Sequence, residues 1–181
     1  MEFEYYNSGY GKLAQQDWHG AITDFTRFIE KYPDNVEGYI SRGISKAVVE
    51  DNVGALADFS KAIDIRPDYE KAYWHRGVFN GNVNNHEEAI ADYTKAIEIT
   101  PLHENAYINR GIIYSTTKEY SKAINDFDNA IALNPEFADA YFNRGMARFH
   151  LDDKNGCFLD LYKARDLGHR EAREEIKKHY K

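Results

Sequence analysis

Two columns of opposite charge run through this sequence. Arg42, Arg76, Arg110 and Arg144 recur every 34 residues, and Asp24, Asp58, Asp92, Asp126 and Asp160 keep the same interval. Guanidinium groups can hold an oxyanion between paired N–H donors, and carboxylates can move protons or bind metal. A column of each, in phase, is better read as a ladder of ion pairs, which imitates a functional site. Pairing across repeats gives Asp24–Arg42, Asp58–Arg76, Asp92–Arg110 and Asp126–Arg144, and offers Lys178 to Asp160. Pairing inside a repeat would leave Asp24 opposite Ser8. The sequence therefore predicts the cross-repeat scheme, whose use would be to set neighbouring repeats in register.

Other reactive residues do not assemble into a site. Gly77-Val78-Phe79-Asn80-Gly81 lacks the Gly-Lys-Ser/Thr of a phosphate loop, and His86-Glu87-Glu88 lacks the second histidine of a zinc helix. The seven histidines and the single cysteine show no ligand spacing. Cys157 stands in a column of small packing residues, where a core role outweighs a nucleophilic one. No catalytic residue, metal or cofactor is expected, and the chain reads as a non-enzyme.

The elements behind these columns are helical. Prolines stand only at 33, 67, 101 and 135, again 34 apart. A period of that length signals a stacked array. The units run 2–35, 36–69, 70–103, 104–137 and 138–171, followed by a charged segment, 172–181. Position 4 is always Tyr and position 8 always Gly, in Gly9, Gly43, Gly77, Gly111 and Gly145. A glycine inside a helix costs about 1 kcal/mol against alanine, so its recurrence implies close approach by a neighbouring helix. Position 20 is small (Ala21, Ala55, Ala89, Ala123, Cys157) and position 24 bulky (Phe25, Phe59, Tyr93, Phe127, Leu161). The apolar residues of each half-unit follow the 3.6-residue period of an amphipathic helix. Asp17, Asp51, Asn85 and Asp153 fall where N-caps are wanted, and the prolines stop each second helix. Each unit is thus predicted to be a hairpin of two helices.

Tyr, Gly, Ala, a bulky residue, Ala and Pro over 34 residues make this chain similar to the tetratricopeptide repeat family. About seven columns carry the resemblance in phase. It implies an all-α, right-handed superhelical α-solenoid: one domain of five antiparallel helix hairpins, closed by a capping helix at 172–181. The chain departs from the family at position 7, where Arg replaces the usual Leu, and in its fifth unit, where Cys157 and His169 replace the small residue and the proline.

The resemblance further implies that the first helices line a concave groove, with positions 2, 5, 6, 9, 12 and 13 facing into it; helical geometry agrees that these share a face. Position 5 supplies Tyr6, Ile40, Trp74, Ile108 and Phe142, and position 9 supplies Tyr10, Ile44, Val78, Ile112 and Met146. Position 6 supplies Asn7, Ser41, His75, Asn109 and Asn143. Aromatic anchors with neutral amides suit an extended peptide or a partner helix, because a carboxamide can both donate to and accept from a backbone. Positions 5 and 9 could instead pack on the next helix. Trp74 is the best anchor, since the repeat does not demand Trp there. Only Lys71 could serve a clamp for acidic C-termini, so that specificity is not expected.

Composition narrows the partners. A net charge of −7 argues against nucleic acid and anionic membrane surfaces as partners. The lone cysteine excludes an intrachain disulfide and fits a reducing compartment. Residues 1–20 show neither a signal peptide nor a membrane span, so the cytoplasm is expected unless a leader has been trimmed. The function expected is a protein-interaction scaffold. Its alternative is a self-associating module, such as a homodimer, closed through the groove or an open end.

Overall fold

The computed structural model describes residues 4–179, and every regular element among them is an α-helix. The helices are α1 (Glu4–Ala14), α2 (Trp18–Lys31), α3 (Val36–Val48), α4 (Asn52–Ile65), α5 (Glu70–Asn82), α6 (His86–Ile99), α7 (Glu104–Thr116), α8 (Tyr120–Leu133), α9 (Ala138–His150), α10 (Lys154–Asp166) and α11 (Arg170–His179). They form two compact units, one ending at Asn85 and the other beginning at His86. The first holds the hairpins α1–α2 and α3–α4, with α5 packed on both helices of the second hairpin. The other holds α6, the hairpins α7–α8 and α9–α10, and α11 packed on α10.

Each first helix ends by one repeated device. Gln16, Glu50, Asn84, Lys118 and Asp152 take φ between 59° and 64°, the left-handed region usually left to glycine. The N–H of the next residue then bonds back five residues, as from Asp51 to the Lys46 carbonyl at 2.9 Å and from Glu119 to Tyr114 at 2.7 Å. These bonds satisfy helix-end carbonyls that would otherwise be orphaned. The next helix opens on a side-chain cap: Asp17, Asp51 and Asp153 each accept from the N–H three residues on, at 2.9 to 3.0 Å. Before each proline the helix-closing residue leaves the α-region, as at Arg66 and Asn134.

The glycine column has the cause the sequence suggests. A Cβ at Gly111 would lie 2.7 Å from the Phe127 ring, and one at Gly43 would lie 2.8 Å from Phe59. Phe25, Phe59, Phe127 and Leu161 are fully buried against these first helices. In the first unit the core joins Ile29, Val36, Ile40, Phe59 and Phe79. In the other, one cluster centres on Ile108 and Phe127, and an end cluster centres on Leu161.

The helix after the fifth repeat begins at Arg170, two residues before the predicted boundary. Its N-cap is His169, whose Nδ1 accepts the Ala172 N–H at 3.3 Å, as His103 accepts from Ala106 at 3.2 Å in α7. Counted from these caps, Ile176 stands in register with Arg110. It packs with Ala172 against Cys157, Leu161 and Ala164. α11 therefore covers the open end of the last hairpin with an apolar face, and Cys157 is a core residue, 1% exposed.

Candidate functional site

Three arginines of the column pair with the aspartate of their own repeat, so the cross-repeat scheme is corrected. Arg42 grips Asp58 through Nε and Nη2 at 2.8 and 2.6 Å, and Arg110 grips Asp126 at 2.8 Å through both. Arg144 holds Asp160 at 2.9 and 2.6 Å. Asp24 does face Ser8, whose hydroxyl donates at 2.6 Å, and Lys12 adds an ion pair at 2.8 Å. Lys178 pairs with Glu175, not Asp160, because α11 starts early and puts Ile176 in the arginine column.

Two columns went unread in the sequence. One is position 11, where Lys46 and Arg148 give Asp58 and Asp160 a second cation and Lys12 gives Asp24 its cation, at 2.8 to 2.9 Å. The other is position 25, Thr26, Ser60, Thr94 and Asp128. The Nη1 of each arginine reaches back to it across the repeat boundary: Arg42 to Thr26 at 3.2 Å, Arg76 to Ser60 at 3.2 Å, Arg110 to Thr94 at 2.8 Å and Arg144 to Asp128 at 2.5 Å. A constant short polar residue 16 places before each arginine was the available signal. The arginines also lie over the position 4 rings, with Arg42 5.7 Å from Tyr39 and Arg144 5.3 Å from Tyr141. Their hydrogen bonds to aspartate raise the affinity of Arg42 and Arg110 for the proton. Arg42, Arg110 and Arg144 are thus each occupied by an aspartate of their own repeat.

The first-helix face divides the other candidates. Ile40 and Ile108 are 2% and 5% exposed and belong to the core. Tyr6 and Tyr10 hydrogen-bond through their hydroxyls at 3.3 Å, and Tyr10 meets the buried Ser41 at 2.8 Å. Asn7 beside them is exposed. Burial, and then the bond to Tyr10, push the Tyr6 phenol up. Met146 packs in the end cluster with Phe142.

Two concave surfaces remain. In the first unit Ile44, Trp74, His75 and Val78 meet around a cavity of about 420 Å³ between α3 and α5, floored by Phe59 and Phe79 and rimmed by Val48 and Asn82. Its walls are apolar apart from His75, Asn52 and Asn82. In the other unit Asn109, Ile112, Phe142 and Asn143 line a cavity of about 590 Å³ between α7 and α9, with Ile108 behind them. Asn105, Phe137, Asp139, His169 and Glu171 complete that lining. His169 stacks on Phe142 at 4.1 Å, and its Nε2 lies 3.6 Å from Asp139. Among the described residues no cluster of His, Cys, Asp or Glu is placed to hold a metal, and no helix is long and apolar enough to cross a membrane.

Stacked helix hairpins with repeating Tyr, Gly, Ala and Pro columns define a class of helical repeat protein. The chain belongs to the tetratricopeptide repeat family: the tetratricopeptide repeat description matches residues 5–35, 70–101 and 104–137, together more than half of it. Proteins of this fold serve broadly as protein-interaction scaffolds. Its fold is similar to that of MamA 41-end from Desulfovibrio magneticus RS-1, with TM-score 0.82 at 20% identity, covering 92% of this chain and 94% of that one. It is also similar to YrrB, described as a TPR protein with an unusual peptide-binding site, with TM-score 0.78 at 18% identity over 96% and 90% of the chains. PilF of Pseudomonas aeruginosa gives TM-score 0.85 at 16% identity over 95% and 78%. No curated protein matches the chain by sequence.

Proposed function

We propose that this chain is an interaction scaffold that holds an extended peptide on its first-helix faces. In this reading the Trp74 cavity takes a bulky apolar side chain of the partner. One observation carries it. Side chains from positions 5, 6, 9 and 13 of two repeats converge on an apolar cavity of about 420 Å³, the size and character of a small ligand site. The likeness to YrrB, whose peptide-binding site is named in its description, supports the same reading. A cytoplasmic setting accords with the buried thiol of Cys157.

The test is selection of random dodecapeptides displayed on phage against the full chain, followed by fluorescence anisotropy with the selected peptides. Trp74→Ala should weaken binding by about tenfold or more, the effect of removing a central aromatic anchor. Val48→Lys at the half-exposed rim should also weaken it, with thermal stability unchanged. Equal affinity in both variants would sink the assignment. A concentration-dependent mass in sedimentation, lost in Val48→Lys, would give the cavity to a second copy of the chain instead.

A further inference from the structure

The cavity between α7 and α9 has a chemistry of its own. Its ionic lining residues are the carboxylates Asp139 and Glu171, and no Lys or Arg lines it. Two of its amides hydrogen-bond inside the protein. Asn143 Nδ2 donates to the Asp139 carbonyl at 2.9 Å. Asn109 hydrogen-bonds the phenol of Tyr93, which burial holds in its protonated form. The Asn143 amide oxygen is left to the cavity. His169 accepts the Ala172 N–H at Nδ1, so its neutral ring carries the proton on Nε2, 3.6 Å from Asp139. The charge of the cavity lining is thus carried by carboxylates. Phe142 and His169, stacked at 4.1 Å with 13° between their planes, give it a flat aromatic wall.

We infer that the cavity between α7 and α9 binds the guanidinium of an arginine side chain presented by an extended peptide. Guanidinium is planar, carries five N–H donors and no acceptor, and stacks on aromatic faces. Carboxylates, the Asn143 amide oxygen and a ring wall complement each of these properties. Lysine offers three donors and no plane, so it matches the acceptors but not the wall. The net charge of −7 would steer a basic segment toward the chain. The inference rests on the scaffold reading above and gives its second anchor a chemical identity.

The same selected dodecapeptides test it on the full chain. Arginine should recur at one fixed place among them. Replacing it by citrulline, its neutral isostere, should weaken binding about tenfold, and replacing it by lysine should weaken it less. Glu171→Gln and Asp139→Asn, both on exposed side chains, should each weaken the arginine peptide about threefold to fivefold and leave the citrulline peptide unchanged. Peptides that bind through Trp74 yet tolerate citrulline would overturn this inference while leaving the scaffold reading intact. Equal loss of both peptides in Glu171→Gln would also overturn it, by showing a structural effect. If no peptide binds through any groove residue, both readings fall.

Discussion

Arg110 holds Asp126 with two hydrogen bonds of 2.8 Å, and both side chains are largely shut off from water, at 15% and 2% exposure. The third edge of the same guanidinium touches Thr94, one repeat back. One side chain thus closes its own hairpin and reads its neighbour. Truncating one partner of a buried pair strands the other charge, so Asp126→Ala should cost about 3–5 kcal/mol. Thr94→Val should cost about 1 kcal/mol, the worth of one ordinary hydrogen bond. Urea denaturation measures both, and a Thr94→Val effect as large as that of Asp126→Ala would contradict the division of labour.

Gly111 tests the closeness of α7 to α8. Alanine there must displace the fully buried Phe127 ring, and overpacking of this kind costs about 1–3 kcal/mol. Phe127→Leu, the pairing the fifth repeat uses in Gly145 and Leu161, should recover much of that loss in the double variant. A double-mutant cycle reads the coupling, and strict additivity would show that the ring is not the obstacle.

Asp24 makes stability depend on acid pH. Burial opposes its ionisation, but hydrogen bonds from Lys12 and Ser8 outweigh that, and its pKa lies below the ordinary 3.8. The unfolded chain therefore takes up the proton first as pH falls. The stabilisation is fully present above pH 3.8 and is lost as pH drops through the folded value. Urea midpoints between pH 7 and pH 2 should show wild type losing stability over this window more steeply than Asp24→Asn. Parallel profiles would remove Asp24 from the acid response.

The left-handed turn at Lys118, with φ of 64°, predicts a stabilising change. Glycine takes this conformation without a Cβ penalty, so Lys118→Gly should raise stability by about 1 kcal/mol, with little change at exposed helix positions nearby. A loss in thermal melting would mean that the Lys118 side chain makes a contribution of its own.

Much of the fold was legible because stacking imposes it five times over. Gly111, Phe127 and Pro135 each satisfy a demand that recurs at a fixed interval, and recurrence separates demand from accident. The ion pairs were misassigned because sequence interval alone does not tell which aspartate an arginine meets. Asp58 is 16 residues after Arg42 and Asp24 is 18 before it, and only packing of α4 on α3 decides between them. The rule that each aspartate must find an arginine failed at Asp24, where a serine hydroxyl and Lys12 suffice. The left-handed turns escaped notice because Gln16, Glu50, Asn84, Lys118 and Asp152 share a conformation but no residue type. On the groove face, the columns named the helix side, but burial sorted it: Ile108 went to the core while Asn109 stayed at the cavity.

The early start of α11 sets a limit to propagation. Each earlier first helix that ends in a hairpin offers glycine for the returning helix to lie on, and one residue before it a polar group at the arginine column. Counted from its histidine cap, α11 offers Lys177 and Ile176 at those places. A returning helix laid there would meet a long cation where it needs bare backbone, and its aspartate would face a methyl group. These two side chains therefore disfavour a hairpin stacked on α11 in the register of the earlier repeats.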